Sequence, residues 1–110
     1  TEMCEGSGLS AVIDFKNVPL IIEDLKSYID QKCVPGGTNR NWDSYGDKIG
    51  NISAYQKAIL ADPQTSGGLL IAVEENSVEK VKQILSEQGI EFIKPIGRFI
   101  KSEEKTILVN

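Results

Sequence analysis

The sequence predicts an α+β fold, a small mixed or antiparallel sheet with helices packed on one face. Three observations lead there. The elements run strand, helix, long loop, short helix, strand, helix, strand, strand, an order that neither an all-helical nor a strictly alternating βαβ chain would show. No GxGxxG turn follows a strand, so a doubly wound dinucleotide fold is not indicated. The composition, 40% hydrophobic and 25% charged over 110 residues, is that of one ordinary globular domain spanning residues 1–110.

The elements follow from local pattern. Thr1 to Gly8 reads as the end of a helix, with Gly6 and Gly8 as stop signals. Ser10 to Phe15 alternates as a strand, Ala11, Ile13 and Phe15 facing one way and Val12 and Asp14 the other. Asn17-Val18-Pro19 opens a helix to about Gln31, striped by Ile21, Ile22, Leu25 and Ile29. Val34 to Gly50 has no sustained period and reads as a long polar loop.

Ser53 to Leu60 forms a short helix that exposes Gln56 and Lys57 and buries Tyr55, Ile59 and Leu60. Leu69 to Val73 is apolar on both sides, the pattern of an interior strand. Asn76 with Glu79 suggests a capping box for a helix striped by Val78, Val81, Ile84 and Leu85 and ended by Gly89. Glu91 to Ile100 and Thr106 to Val109 are two closing strands, with Ser102 to Lys105 as the turn between them.

Charge and cysteine usage narrow the function classes. Sixteen acidic against 12 basic residues give a net charge of -4, which disfavours a nucleic-acid partner. No apolar run reaches the ~18 residues of a membrane span, so no membrane partner is expected. With no histidine and no CxxC, Cys4 and Cys33 lack the makings of a zinc site or a Cys–His nucleophile. They read as reduced thiols of a cytoplasmic protein. No pair of Asp14, Asp43, Asp47 and Asp62 has a spacing that forces metal binding, and Trp42 reads as a loop anchor.

Two glycine-rich loops carry the remaining chemistry. In Pro35-Gly36-Gly37-Thr38-Asn39-Arg40-Asn41, consecutive glycines let backbone N–H groups converge on an anion. Thr38 and Asn39 add hydrogen bonds, and Arg40 would pair with phosphate oxygens as a fork. A surface turn with locally satisfied polar groups, or packing against another domain, also fits these residues. In Asp62-Pro63-Gln64-Thr65-Ser66-Gly67-Gly68, the glycines allow close approach to a ligand, and Thr65 and Ser66 add hydroxyls. The loop lacks the GK[ST] ending of a Walker A sequence, and a tight turn into a strand also accounts for it.

Together the loops carry a resemblance. Ala61 to Val73 (ADPQTSGGLLIAV) and Val34 to Asn41 (VPGGTNRN) are similar to two signatures of the selenophosphate synthetases (selenide, water dikinases), in the same order and separation. Gly8 to Pro19 resembles the strand entering that family's C-terminal domain. The resemblance implies a fold like the AIR synthase C-terminal domain. It also implies a parent enzyme that makes selenophosphate, AMP and orthophosphate from ATP, selenide and water. On this reading the chain is the C-terminal part of that enzyme, truncated on its N-terminal side; Thr1 in place of a start methionine agrees.

The resemblance further implies that the reactive cysteine or selenocysteine, its partner lysine and the magnesium-binding aspartates lie in the N-terminal half. No catalytic or metal residue is therefore expected here, and Mg2+ and ATP belong to the intact enzyme, none being expected on the fragment alone. The expected partners are the protein's own N-terminal domain, ATP and selenide, in a homodimer. The residues expected to orient phosphate in the inter-domain cleft are Thr38, Asn39, Arg40, Thr65, Ser66, Gly67 and Gly68. A sister ATP-dependent enzyme of the AIR synthase superfamily and a non-catalytic binding or interface module are the alternatives.

Overall fold

A computed structural model describes residues 1–90 and 93–110. The chain divides into two compact units, the first made of Thr1–Pro63 and Ile96–Asn110, the second of Gln64–Pro95. Among the described residues there are five α-helices and one three-stranded sheet, the α+β class expected.

The first unit is built on the strand β1 (Leu9–Ile13). It pairs antiparallel with β2 (Gly97–Lys101), Ala11 opposite Phe99, and parallel with β3 (Ile107–Val109), Ala11 opposite Ile107. The sheet is thus mixed, in the order β2-β1-β3. The two closing strands are not hairpin neighbours: β1 lies between them, and Ser102–Lys105 carries the chain across it. A hydrogen bond secures this crossing, the Glu103 N–H donating to Ser10 Oγ at 2.9 Å, with Ser10 only 1% exposed.

Burial shows which face of β1 is the inner one, with the alternation kept along the strand. Ser10 and Val12 are buried, whereas Ala11, Ile13 and Phe15 are half-buried. Gly97 is demanded by close approach, since a Cβ there would lie 2.2 Å from the Val12 carbonyl oxygen. Of the first expected closing strand, Glu91 and Phe92 lie outside the described residues.

Helix α1 (Glu2–Ser7) ends at Gly8, whose φ of 67° is the left-handed cap expected there. Gly6 lies inside the helix and does not stop it. Cys4 is buried, Cys33 is exposed, and both thiols are free. Tyr45 donates to Glu2 Oε1 at 3.1 Å, and Lys48 pairs with Glu5. The hydrogen bond to Glu5 raises the Lys48 pKa above the usual lysine value, against a smaller opposing effect of desolvation.

The helix expected from Asn17 to Gln31 is much shorter. A 3-10 turn covers Phe15–Asn17, and α2 runs only Leu25–Asp30. Val18, ahead of Pro19, is extended at ψ 121° as a helix entry there would require, yet the helix begins only at Leu25, after Asp24. Ile21, placed on the expected buried stripe, is 99% exposed.

The expected loop from Val34 to Gly50 is largely helical. Helix α3 spans Gly36–Tyr45, and a 3-10 turn follows at Gly46–Lys48. Pro35 is its extended N-cap, and its carbonyl accepts from the Thr38 N–H at 3.0 Å. Trp42 lies on this helix, not in a loop, and its ring packs so closely on Gly46 that a Cβ there would lie 2.6 Å away.

Helix α4 (Ala54–Leu60) begins with a complete capping box: Ser53 Oγ accepts from the Gln56 N–H, and Gln56 Oε1 accepts from the Ser53 N–H. Tyr55, Ile59, Leu60, Gln56 and Lys57 are all half-buried, so the expected division of faces is blurred. Tyr55 meets Phe15 edge-on, centroids 5.9 Å apart. The Gly50 N–H donates to the Ile107 carbonyl, bringing the chain back to β3.

In the second unit, a 3-10 turn at Glu75–Ser77 leads into α5 (Val78–Glu87), with Ser77 as an N-cap that makes no side-chain cap bond. The Asn76–Glu79 capping box does not form; Asn76 Oδ1 instead accepts from Ser77 at 3.2 Å. Val78, Val81 and Leu85 are half-buried as expected, whereas Ile84 is exposed. Gly89, at φ 76°, follows the helix end. Leu69 to Val73 forms no strand, and Leu69 is 91% exposed. An apolar run becomes a strand only where another edge takes its backbone groups, and the described residues of this unit hold no other strand.

These packing facts set the stability expected of variants. Gly97→Ala should cost about 3 kcal/mol in urea unfolding, because the added methyl meets backbone. Ser10→Ala should cost about 1–2 kcal/mol by removing the buried acceptor of the Glu103 N–H. Gly6→Ala, with open space around it inside α1, should instead add about 0.5–1 kcal/mol.

Candidate functional site

Thr38, Asn39 and Arg40 stand in the first turns of α3. The first amides of a helix lack partners within it and give this end partial positive charge. The sequence pattern expected an anion nest of loop amides; the structure supplies a helix N-terminus in the same place. Arg40 is exposed, and its guanidinium turns back toward this end, Nη2 lying 3.6 Å from where a Gly37 Cβ would stand. Asn39 is exposed. Thr38 is 1% exposed, and its hydroxyl has no hydrogen-bond partner among the described residues.

The two sequence motifs meet within the first unit. Asn41 Nδ2 donates to the Ala61 carbonyl at 2.9 Å. A Cβ on Gly37 would lie 2.7 Å from Pro63 Cγ, so glycine is needed for α3 to sit against that proline. One glycine of the first motif therefore serves packing, which the sequence pattern did not distinguish from ligand approach.

Thr65, Ser66, Gly67 and Gly68 belong to the second unit, and all four are exposed. A Cβ on Gly67 would lie 2.6 Å from Gln64 Oε1, the end of a flexible side chain; Gly68 has open space. The four present hydroxyls and backbone without a helix terminus behind them.

A groove of about 410 Å3 opens beside Thr38 and Asn39, walled by Ile29 and Ala58 and flanked by Lys32 and Lys57. Lys57 Nζ stands 5.0 Å from the Trp42 ring centroid, a contact that joins α4 to α3. Neither lysine was singled out by the sequence, because a lone lysine looks like any solvated side chain. Lys32 follows α2 with φ 64°. A larger concavity of about 770 Å3 runs along α5, but its Lys82 is already paired with Glu79 at 2.9 Å. No group of three or more Cys, Asp or Glu side chains among the described residues could hold a metal ion.

Comparison with known proteins gives the family of the chain. The chain matches the AIR synthase related protein, C-terminal domain, over residues 1–110. It belongs to that family. It is 52% identical over 108 residues to a selenide, water dikinase of Haemophilus influenzae, covering 98% of this chain and 31% of that protein. It is 47% identical over 106 residues to a selenide, water dikinase of Colwellia psychrerythraea, covering 96% and 30%. A third, from Pasteurella multocida, is 47% identical over 110 residues, covering 99% and 31%. The chain thus spans less than a third of the length of these curated relatives, and the matching stretch is their C-terminal part.

The tie between the motifs is testable in this family member. Gly37→Ala should destabilise by about 1–3 kcal/mol as Pro63 is displaced, and Asn41→Ala by about 1 kcal/mol. Their combination should cost less than the sum, since both act on one contact between α3 and 61–63. Gly36→Ala, with no atom near its Cβ, should be close to neutral by the same chemical denaturation measurement.

Proposed function

We propose that the chain is the C-terminal part of a selenophosphate synthetase, which converts ATP, selenide and water into selenophosphate, AMP and orthophosphate. The observation that carries this is identity of about half over nearly the whole chain to proteins named selenide, water dikinase. The two units are read together as one domain, because one family match runs through both. The chain's own N-terminal domain would supply the reacting groups, and this part would close the ATP cleft against it in a cytoplasmic homodimer. Among the described residues no helix is long and apolar enough to cross a membrane, and the net charge of -4 suits small-molecule substrates better than nucleic acid.

The residues of this chain have roles that positioning chemistry can use. Phosphoryl transfer depends mainly on orientation and on offsetting negative charge. The α3 N-terminus and the Arg40 guanidinium would attract phosphate oxygens, and Asn39 would donate to them. Thr65 and Ser66 would donate from their exposed hydroxyls, and the backbone at Gly67 and Gly68 would line the wall. The side chains described here offer no metal cluster, so magnesium is not assigned to them. Its ligands are expected in the N-terminal domain.

A second reading makes both motifs interface packing that shapes the cleft without touching ligand. The Gly37–Pro63 approach and the Asn41–Ala61 bond favour it, since both spend motif residues on internal contacts.

AMP formation from ATP by the full-length protein, with and without selenide, tests the activity; release is expected only with selenide. Within that protein, Thr65→Ala combined with Ser66→Ala should lower turnover roughly 100-fold, if the two hydroxyls orient phosphate in the transition state. Unchanged turnover in a folded double variant would assign the loop to packing.

A further inference from the structure

A cluster of side chains gathers at the end of α3 opposite Asn39 and Arg40. Tyr45 is the last residue of α3, and Lys48 closes the 3-10 turn after it. Both reach α1, where Glu2 and Glu5 stand three residues apart and so share a face. The Tyr45 hydroxyl donates to Glu2 Oε1 at 3.1 Å, and the Lys48 ammonium pairs with Glu5 at 2.5 Å. The same ammonium lies 5.4 Å from the centroid of the Tyr45 ring, so the four side chains form one cluster. Cys4, between the two glutamates in the chain, is 3% exposed, which seats α1 on the unit. Lys105 extends the network, donating to the Asp47 carbonyl at 2.6 Å from the turn that Ser10 holds.

Stability does not explain this cluster. Exposed ion pairs add little to folding, and the side chains of Lys48 and Glu5 are 33% and 46% exposed. Helix α3 is already held by Asn41 on Ala61 and by Gly37 against Pro63. What the cluster fixes is register. It ties α1 to a ten-residue helix whose other end, about 15 Å away, presents Asn39 and Arg40. This stretch is the C-terminal part of the relatives it matches, so the remainder of those proteins precedes α1.

We propose that Tyr45 and Lys48 are positioning residues, which latch α3 through Glu2 and Glu5 to the helix that joins it to the preceding part of the enzyme. Asn39 and Arg40 then keep a fixed place relative to groups outside this chain. This assignment rests on the enzymatic reading above and adds to it residues that touch no substrate. Its signature is a mismatch between two measurements. A misplacement of about 1 Å at a reacting centre costs on the order of a hundredfold in rate, whereas loss of an exposed pair barely moves stability.

AMP formation by the full-length protein, with urea unfolding alongside it, tests the latch. Lys48→Met with Tyr45→Phe should lower kcat about tenfold, leave the KM for ATP within about twofold, and hardly shift the unfolding midpoint. Exchanging the charges, Glu5→Lys with Lys48→Glu, should restore most of the turnover that either single reversal removes. Lys26→Met, whose partner Asp30 lies on the same helix, should leave turnover unchanged. Wild-type kcat in the folded double variant would overturn the proposal, and so would failure of the charge exchange to restore turnover. Amide hydrogen exchange tests the latch without any activity: the double variant should speed exchange in α1 several-fold and leave β1 as it was. Equal exchange in α1 would overturn the latch even if the wild-type protein released no AMP, an outcome that by itself overturns only the enzymatic reading.

Discussion

The first unit depends on one strand being hydrogen-bonded along both edges. β1 lies near the start of the chain, and both of its partners come from the last residues, so the sheet closes a loop of nearly the whole chain. Such closure is entropically costly and must be offset by the contacts it makes. Three details show where the tolerance is small. Gly97 lets β2 approach the Val12 carbonyl, Ser10 holds the crossing turn from beneath, and Ile107 is buried where β3 meets the 49–50 segment. Each joins residues far apart in sequence, so none can form before the sheet does.

The helices of this unit take their positions from that sheet and from one another. The 3-10 turn after β1 places Phe15 against Tyr55 of α4, while Gly50 returns the chain to β3 before α4 begins. Helix α3 then packs on α4, cross-tied by Asn41 to Ala61, by Gly37 against Pro63 and by the Lys57 ammonium over Trp42. The α3 N-terminus, Arg40 and the groove beside Thr38 owe their arrangement to these ties. A segment of low intrinsic helix propensity, with two glycines and two asparagines in ten residues, becomes a helix because tertiary contacts outweigh propensity.

The same ties explain why motif residues divide between two duties. Gly37 and Asn41 are spent on holding two chain segments together, whereas Asn39 and Arg40 remain at the surface. Thr38 is the intermediate case, buried like a packing residue yet carrying a hydroxyl that no described group satisfies. A glycine-rich run alone cannot reveal this division, because close backbone approach serves a ligand and a neighbouring proline equally well.

What the sequence determined by itself was local or carried by long motifs. The left-handed cap at Gly8, the Ser53–Gln56 start of α4, the glycine after α5, the α+β class and the family all followed from residues adjacent in the chain. Tertiary structure alone decided the rest. The helix expected from Asn17 formed only over Leu25–Asp30, a polar loop became α3, and the apolar run from Leu69 formed no strand among the described residues. That Lys32 and Lys57 line one groove was equally invisible. The reason is common to all of these. Hydrophobic periodicity and turn chemistry report what one segment prefers, whereas ladder partners, close approaches and charge clusters are properties of segments brought together by the fold.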